Sequence, residues 1–206
     1  MNCVAIVLAA GASRRLGQPK QLLKYRGRTL IQCAVERAMV AGCERILVVT
    51  GAHADDVTRA AANVKGCQVV HNDDWKSGMG TSLAVGAKAA AALSPLPLTI
   101  LLQVCDQPLI PASHLAALVH HCCAAEEIAA TGYPNETVGV PAALPFSYCT
   151  RLRELTGSQG AKLLLNDSAN RESLQVIPCS AALHDIDTAD DLRILSSEQV
   201  GSTQTK

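Results

Sequence analysis

Short runs of β-branched and aliphatic residues alternate with longer Ala-rich stretches of helical period along the first 125 residues of this chain, and that alternation admits few folds. Residues 4–10 read as a buried strand, 30–41 as a helix with a face at Ala34, Ala38 and Ala41, and 45–50 as the next strand. A helix over 55–63, a strand over 68–71, a helix over 81–93 and a strand over 99–104 repeat the unit, and a further helix spans 113–124. Runs that are apolar throughout suit central parallel strands covered on both faces. The pattern predicts an α/β protein: a three-layer α/β/α sandwich around a mostly parallel sheet.

At 206 residues the chain is long enough to bury a substantial core. We expect one domain over 1–196, with a first half over 1–125 and a second over 126–196. The second half has shorter runs broken by Pro134, Pro141, Pro145, Gly157, Gly160 and Pro178, and is expected to form a sheet extension or small subdomain. Residues 197–206 are too polar to pack and are expected to fray. Lys plus Arg equals Asp plus Glu at 18 each, with five aromatic residues, so neither a basic footprint nor a set of stacking rings is present for nucleic acid. The first ten residues lack the basic flank and cleavage site of a signal peptide, and no apolar run reaches membrane-spanning length. A cytoplasmic protein without membrane partners is expected. Nine cysteines, an odd number with no CxxC pair, read as reduced thiols packed as small hydrophobes.

The strand over 4–10 runs directly into Gly11-Ala12-Ser13-Arg14-Arg15-Leu16-Gly17-Gln18-Pro19-Lys20. Small residues let backbone N–H groups approach phosphate oxygens, and Arg15 and Lys20 supply charge-assisted hydrogen bonds. The segment is neither a Walker loop nor a GxGxxG dinucleotide turn. A surface loop whose cations only solvate its rim shares this spacing. Asp106 follows the strand over 99–104, at the carboxyl edge where open α/β sheets bind ligands, and a carboxylate there suits Mg²⁺ shared with phosphate oxygens. An Asp before a Pro-containing turn equally serves as a cap. Asp185-Ile186-Asp187-Thr188 reads as a strand end entering a helix, with Thr188 or Asp187 as N-cap and Asp190 and Asp191 suited to the helix dipole. Gly78-x-Gly80 reads as a tight turn opening a helix, with Thr81 or Ser82 as its cap. His120-His121-Cys122-Cys123 invites a metal reading, but Leu115, Leu118, Val119 and Cys122 form a core face and adjacent residues point apart.

Leu8-Ala9-Ala10-Gly11-x-Ser13-x-Arg15-x-Gly17-x-Pro19-Lys20 resembles the signature of nucleotidyltransferases with a glycosyltransferase-A-like fold, above all the molybdenum cofactor cytidylyltransferases and their guanylyltransferase relatives. The resemblance continues through His71-Asn72, the stretch from Trp75 to Leu83, Cys105-Asp106-Gln107-Pro108, Gly139-Val140-Pro141, the stretch from Gly157 to Leu164, and that from Asp185 to Leu192. It implies a nucleotide-diphospho-sugar transferase-like fold, with 1–125 as the nucleotide half and 126–196 as the acceptor half. It further implies that Leu8, Ala9, Ala10, Gly11, Ser13, Arg15 and Lys20 hold a nucleoside triphosphate, completed by Asn72, Gly80, Thr81 and Ser82. Arg15, Lys20 and Asp106 would carry catalysis, and Asp106 with Asp187 would bind Mg²⁺, Asp185 being the fallback.

By the same resemblance, the acceptor is the phosphate of molybdopterin, near Gly139, Pro141, Gly160 and Lys162, and a molybdenum hydroxylase-type apo-enzyme docks transiently to receive the product. Guanylyl-transferring relatives carry Gly-Gly where this chain has Ala10-Gly11, which favours CTP over GTP through one methyl group. Cys105 departs from the glycine that many relatives place before the metal aspartate. Alternatives are a nucleotidyltransferase using GTP or another phosphate acceptor, a non-catalytic molybdenum cofactor carrier, and a redox protein using its cysteines.

Overall fold

The computed structural model describes residues 2–62, 64, 66–134, 136–167, 170 and 173–193. In chain order the elements are β1 (Cys3–Leu8), β2 (Lys24–Tyr25), β3 (Arg28–Thr29), α1 (Leu30–Val40), β4 (Arg45–Thr50), α2 (Ala54–Ala62), β5 (Cys67–His71), α3 (Met79–Ala91), β6 (Thr99–Val104) and α4 (Ala112–Ala125). The second half adds β7 (Ala129–Gly132), β8 (Val138–Pro145), α5 (Cys149–Arg153), α6 (Lys162–Leu165) and β9 (Gln175–Pro178). Among the described residues no helix is long and apolar enough to cross a membrane. The tail expected over 197–206 lies outside them.

Seven strands form one sheet in the order β5-β4-β1-β6-β8-β7-β9, and β8 alone runs antiparallel to its neighbours. The mostly parallel sheet read from the sequence is therefore present, and the strands of the second half extend it. Every residue of β1 is buried because both of its faces are covered. Cys3, Ala5 and Val7 pack with Ile31, Ala34 and Ala38 of α1 and with Leu115 and Leu118 of α4. Val4, Ile6 and Leu8 pack with Leu83 and Ala87 of α3, Leu152 of α5 and Leu164 of α6. Strand periodicity thus splits the core into the two interfaces of a three-layer sandwich. Leu115, Leu118, Val119 and Cys122 of α4 are all in that core, as their spacing predicts.

From β1 the chain moves by α1 to β4 and β5, then returns by α3 to β6 on the other side of β1. The sheet therefore reverses its winding between β1 and β6, and Leu8 pairs with Val104 at the carboxyl ends of those strands. Loops leaving a switch point in opposite directions open a crevice between them. Here they are the segment after Leu8 and the segment starting at Cys105.

Several boundaries shift from the sequence reading. β1 ends at Leu8, not residue 10, and Ala9 and Ala10 continue as single backbone bonds, Ala9 N to Val49 O and Ala52 N to Ala10 O. α3 begins at Met79, with Gly78 as its N-cap at φ 128°, so Thr81 and Ser82 lie inside the first turn and are not caps. The Thr81 hydroxyl bonds back to the Gly78 and Asp74 carbonyls instead. No strand forms over 184–188; Ile186 N donates to Asp106 O and pins that segment beside the β6 loop. Asp191, rather than Asp187 or Thr188, closes the following turn, its Oδ2 accepting from Asp187 N, Thr188 N and the Thr188 hydroxyl.

Candidate active site

The Gly-rich segment is shaped by two polar side chains. Ser13, at φ 51°, accepts Leu16 N and Gly17 N on its carbonyl and Lys20 N on its hydroxyl at 3.1 Å. Gln21 is fully buried, and its amide donates to Ala9 O at 2.9 Å and Gly11 O at 2.7 Å. These bonds fold the loop back on the end of β1 and turn Lys20 inward. Pro19, extended at ψ 107°, starts the short 3-10 turn over Lys20–Leu22 that carries it.

Lys20 reaches the β6 loop. Its ammonium bonds Asp106 Oδ2 and, at 2.8 Å, Asp187 Oδ1, while Arg15 Nη2 bonds Asp187 Oδ2 at 2.7 Å. Four residues separated by up to 172 positions thereby form one cluster. Burial opposes the Lys20 charge, but Asp106 and Asp187 outweigh it and hold the ammonium above its ordinary pKa. The Lys20 hydrogen bond, opposed by burial and reinforced by the Lys20 and Arg15 charges, holds the Asp187 carboxyl below the usual carboxylate range. Burial pushes the Asp185 carboxyl up, and pushes the Cys105 thiol up to about 12, so that thiol stays protonated at neutral pH. Asp106 Oδ1 is buried without a hydrogen-bond partner among the described residues.

Two cavities meet at this cluster. One, of about 240 Å³, is lined by Leu8, Ala9, Ala10 and Gly11 from the loop, by Ser82 and Met79 from α3, and by Trp75. The other, of about 540 Å³, is lined by Gln107, Val140, Gly160, Lys162, Asp185 and Asp187. Lys20, Met79, Val104 and Asp106 line both, so they form the shared wall.

Not every residue singled out from the sequence lines these two cavities. Asn72 is buried and donates at 2.9 Å to both the Thr81 and Ser82 hydroxyls while accepting from Asp74 N, so it braces the start of α3. Gly80 belongs to the same brace: a Cβ there would lie 2.6 Å from Thr156 O and 2.7 Å from Gln159 O. Gly139 packs on the Tyr133 ring and Pro141 O accepts from the Thr131 hydroxyl; Val140, between them, is the one that lines the second cavity. Arg15 is 71% exposed at the rim. Gln21, Trp75 and Met79 escaped the sequence reading as site residues. A lone Gln after a Lys carries no chemical signature, although Trp75 and Met79 stand within the stretch from Trp75 to Leu83 that carries the resemblance.

The sequence model of the MobA-like NTP transferase domain matches residues 5–174. The chain is 46% identical to nicotine blue oxidoreductase of Paenarthrobacter nicotinovorans over 110 residues, 52% of each protein. It is 32% identical to the molybdenum cofactor cytidylyltransferase of Escherichia coli K12 over 84 residues, 41% of this chain and 43% of that one. The chain spans about half the length of the curated relatives it matches. Among solved structures, Rv0371c of Mycobacterium tuberculosis H37Rv, in complex with manganese, superposes with a TM-score of 0.73 at 28% identity, covering 95% of this chain and 98% of that one. With a crevice at the switch point of its sheet and a family match over most of its length, the chain belongs to the MobA-like NTP transferase domain family.

Proposed function

We propose that this protein transfers a cytidylyl group from CTP to the phosphate of molybdopterin, releasing pyrophosphate and forming molybdopterin cytosine dinucleotide. The observation that carries this reading is the wall of Lys20 and Asp106 shared by two cavities, one at the Gly11 loop and one at Lys162. Group transfer between two phosphates needs two anionic substrates on opposite sides of one charged point. In the reaction an acceptor phosphate oxygen forms a bond to the α-phosphorus as the bond to the bridging oxygen breaks, and the electron pair leaves with pyrophosphate. The acceptor is already ionised, so no general base is needed.

The loop backbone at Ala10 and Gly11 meets the triphosphate, with Lys20 and Arg15 offsetting charge on the bridging oxygens and the leaving group. Lys162 and Gly160 face the acceptor. Asp106 and Asp187 fit a divalent cation: they offer hard oxygen donors, and one buried oxygen of Asp106 has no hydrogen-bond partner among the described residues. Mg²⁺ bound there supplies positive charge against the phosphate oxygens. The manganese in the Mycobacterium tuberculosis relative and the cytidylyltransferase named in Escherichia coli support the reading. Ala10 lines the first cavity and favours the smaller base, an effect of about 1–3 kcal/mol. A cytoplasmic location and hand-over of the product to a molybdenum hydroxylase-type apo-enzyme follow from the same reading.

Mg²⁺-dependent pyrophosphate release with molybdenum cofactor as acceptor, compared for CTP, GTP and ATP, tests it. Turnover with CTP together with a cytidylylated pterin is the expected result. A preference for GTP overturns the role given to Ala10, and turnover only with another phosphate acceptor overturns the assignment of molybdopterin. Absence of pyrophosphate release with all three nucleotides overturns the transferase reading and leaves the redox chemistry named for the Paenarthrobacter relative as the reading to pursue.

A further inference from the structure

Three of the four carboxylate oxygens of Asp106 and Asp187 are taken by cations of the chain itself. Lys20 Nζ holds Asp106 Oδ2 and Asp187 Oδ1, and Arg15 holds Asp187 Oδ2. The Lys20 bridge is sheltered, the Lys20 and Asp106 side chains being 16% and 15% exposed. An ammonium and a divalent cation compete for the same lone pairs between two carboxylates, and their like charges repel at that range. Lys20 also lies on the wall shared by both cavities. Its backbone N–H is fixed on the Ser13 hydroxyl, while its four-carbon stem leaves the ammonium free to change partners without moving the loop.

We propose that Lys20 is a built-in counter-cation for the Asp106–Asp187 pair: it keeps the pair closed to a free divalent cation and gives way when a nucleoside triphosphate offers its ammonium a second set of anionic oxygens. This rests on the proposed function, which supplies the metal and the nucleotide. The triphosphate then does two things at once, drawing Lys20 off the acids and adding its own oxygens to theirs. Metal and nucleotide therefore bind with strong positive coupling, and that coupling is reciprocal. Lys20 acts here as a positioning residue, distinct from any contact it makes to phosphate during transfer.

The test is Mn²⁺ binding to the full chain, followed by the electron paramagnetic resonance signal of free Mn²⁺, with and without α,β-methylene-CTP and corrected for the Mn²⁺ that the analogue binds without protein, so that no turnover is involved. The wild-type protein is expected to bind Mn²⁺ weakly alone and about tenfold or more tightly with the analogue. Lys20→Met should bind Mn²⁺ about tenfold more tightly than wild type in the absence of nucleotide, and should gain less than wild type when the analogue is added, the remaining gain coming from the analogue's own oxygens. Lys20→Gln, which keeps a donor but no charge, is expected to behave alike and serves if the Met variant does not fold. Lys20→Arg keeps a cation on the bridge and should not tighten. Arg15→Met removes an equal charge from outside the bridge and should tighten far less than Lys20→Met. Wild-type affinity in both neutral Lys20 variants, or equal tightening in Arg15→Met, overturns the counter-cation role and leaves the metal reading standing. No Mn²⁺ binding by any of these proteins, with or without the analogue, overturns both.

Discussion

Asp106 combines a buried oxygen that has no hydrogen-bond partner among the described residues with a second oxygen held by Lys20, so its two sides have different tasks. Asp106→Asn keeps the shape and removes the charge. We expect pyrophosphate release to fall by about 10²–10³-fold with the thermal melt near wild type. Full activity in that variant removes Asp106 from the mechanism. Asp187 predicts a pH dependence. Its folded pKa lies below the ordinary 3.8, so its contribution to stability is complete above 3.8 and is lost as the pH falls through the lower folded value. Melts of Asp187→Asn between about pH 2 and 6 should show a shallower acid limb than wild type, and an unchanged limb contradicts the pairing with Lys20 and Arg15. Gln21→Ala strips the only side-chain donor that the fold gives to Ala9 O and Gly11 O among the described residues. Losing it should cost about 1–3 kcal/mol in a denaturant titration and raise the KM for nucleotide more than it lowers kcat.

At the level of elements, the start of α3 is one joint between the two halves, beside the pairing of β6 with β8. Gly78 and Gly80 press on the backbone of residues 156–159, and Gly80 N donates to Gly157 O at 3.0 Å. Gly80→Ala must push that loop away, since the clash is with backbone carbonyls that cannot rotate aside. We expect a loss of about 1–3 kcal/mol in thermal melts and a KM for acceptor that rises more than that for nucleotide, because Gly160 and Lys162 follow directly on the displaced loop. Equal effects on both constants would contradict the joint. This element also marks the limit of legibility. β4 and β6 are read residue for residue from their apolar runs, because burial on both faces stamps itself on every position. The first turn of α3 is read two residues late, because its start is set by a contact with residues 156–159, which local sequence does not encode.

Across the whole molecule, the spacing of layers is set by small residues where helix meets sheet. A Cβ on Gly86 of α3 would lie 2.6 Å from Ile6 Cγ2 and 3.1 Å from Val49 Cγ2, so Gly86→Ala should move α3 off β1 and β4. A loss of about 1–3 kcal/mol, seen as a drop in Tm of roughly 2–12 °C, is the expected outcome, and an unchanged Tm contradicts the close approach. The sequence by itself determined the alternation of strands and helices, the mostly parallel sheet, and the cations and acids available for chemistry. Each of these follows from local periodicity or residue type, which a linear chain carries in full. Only the tertiary structure decided that Lys20 and Arg15 pair directly with Asp106 and Asp187, that Asn72 and Gly80 brace the start of α3, and that Val140, between Gly139 and Pro141, lines the second cavity. Those outcomes depend on where the winding of the sheet reverses and on which side of a strand a residue falls, and both are fixed by packing between segments far apart in the chain.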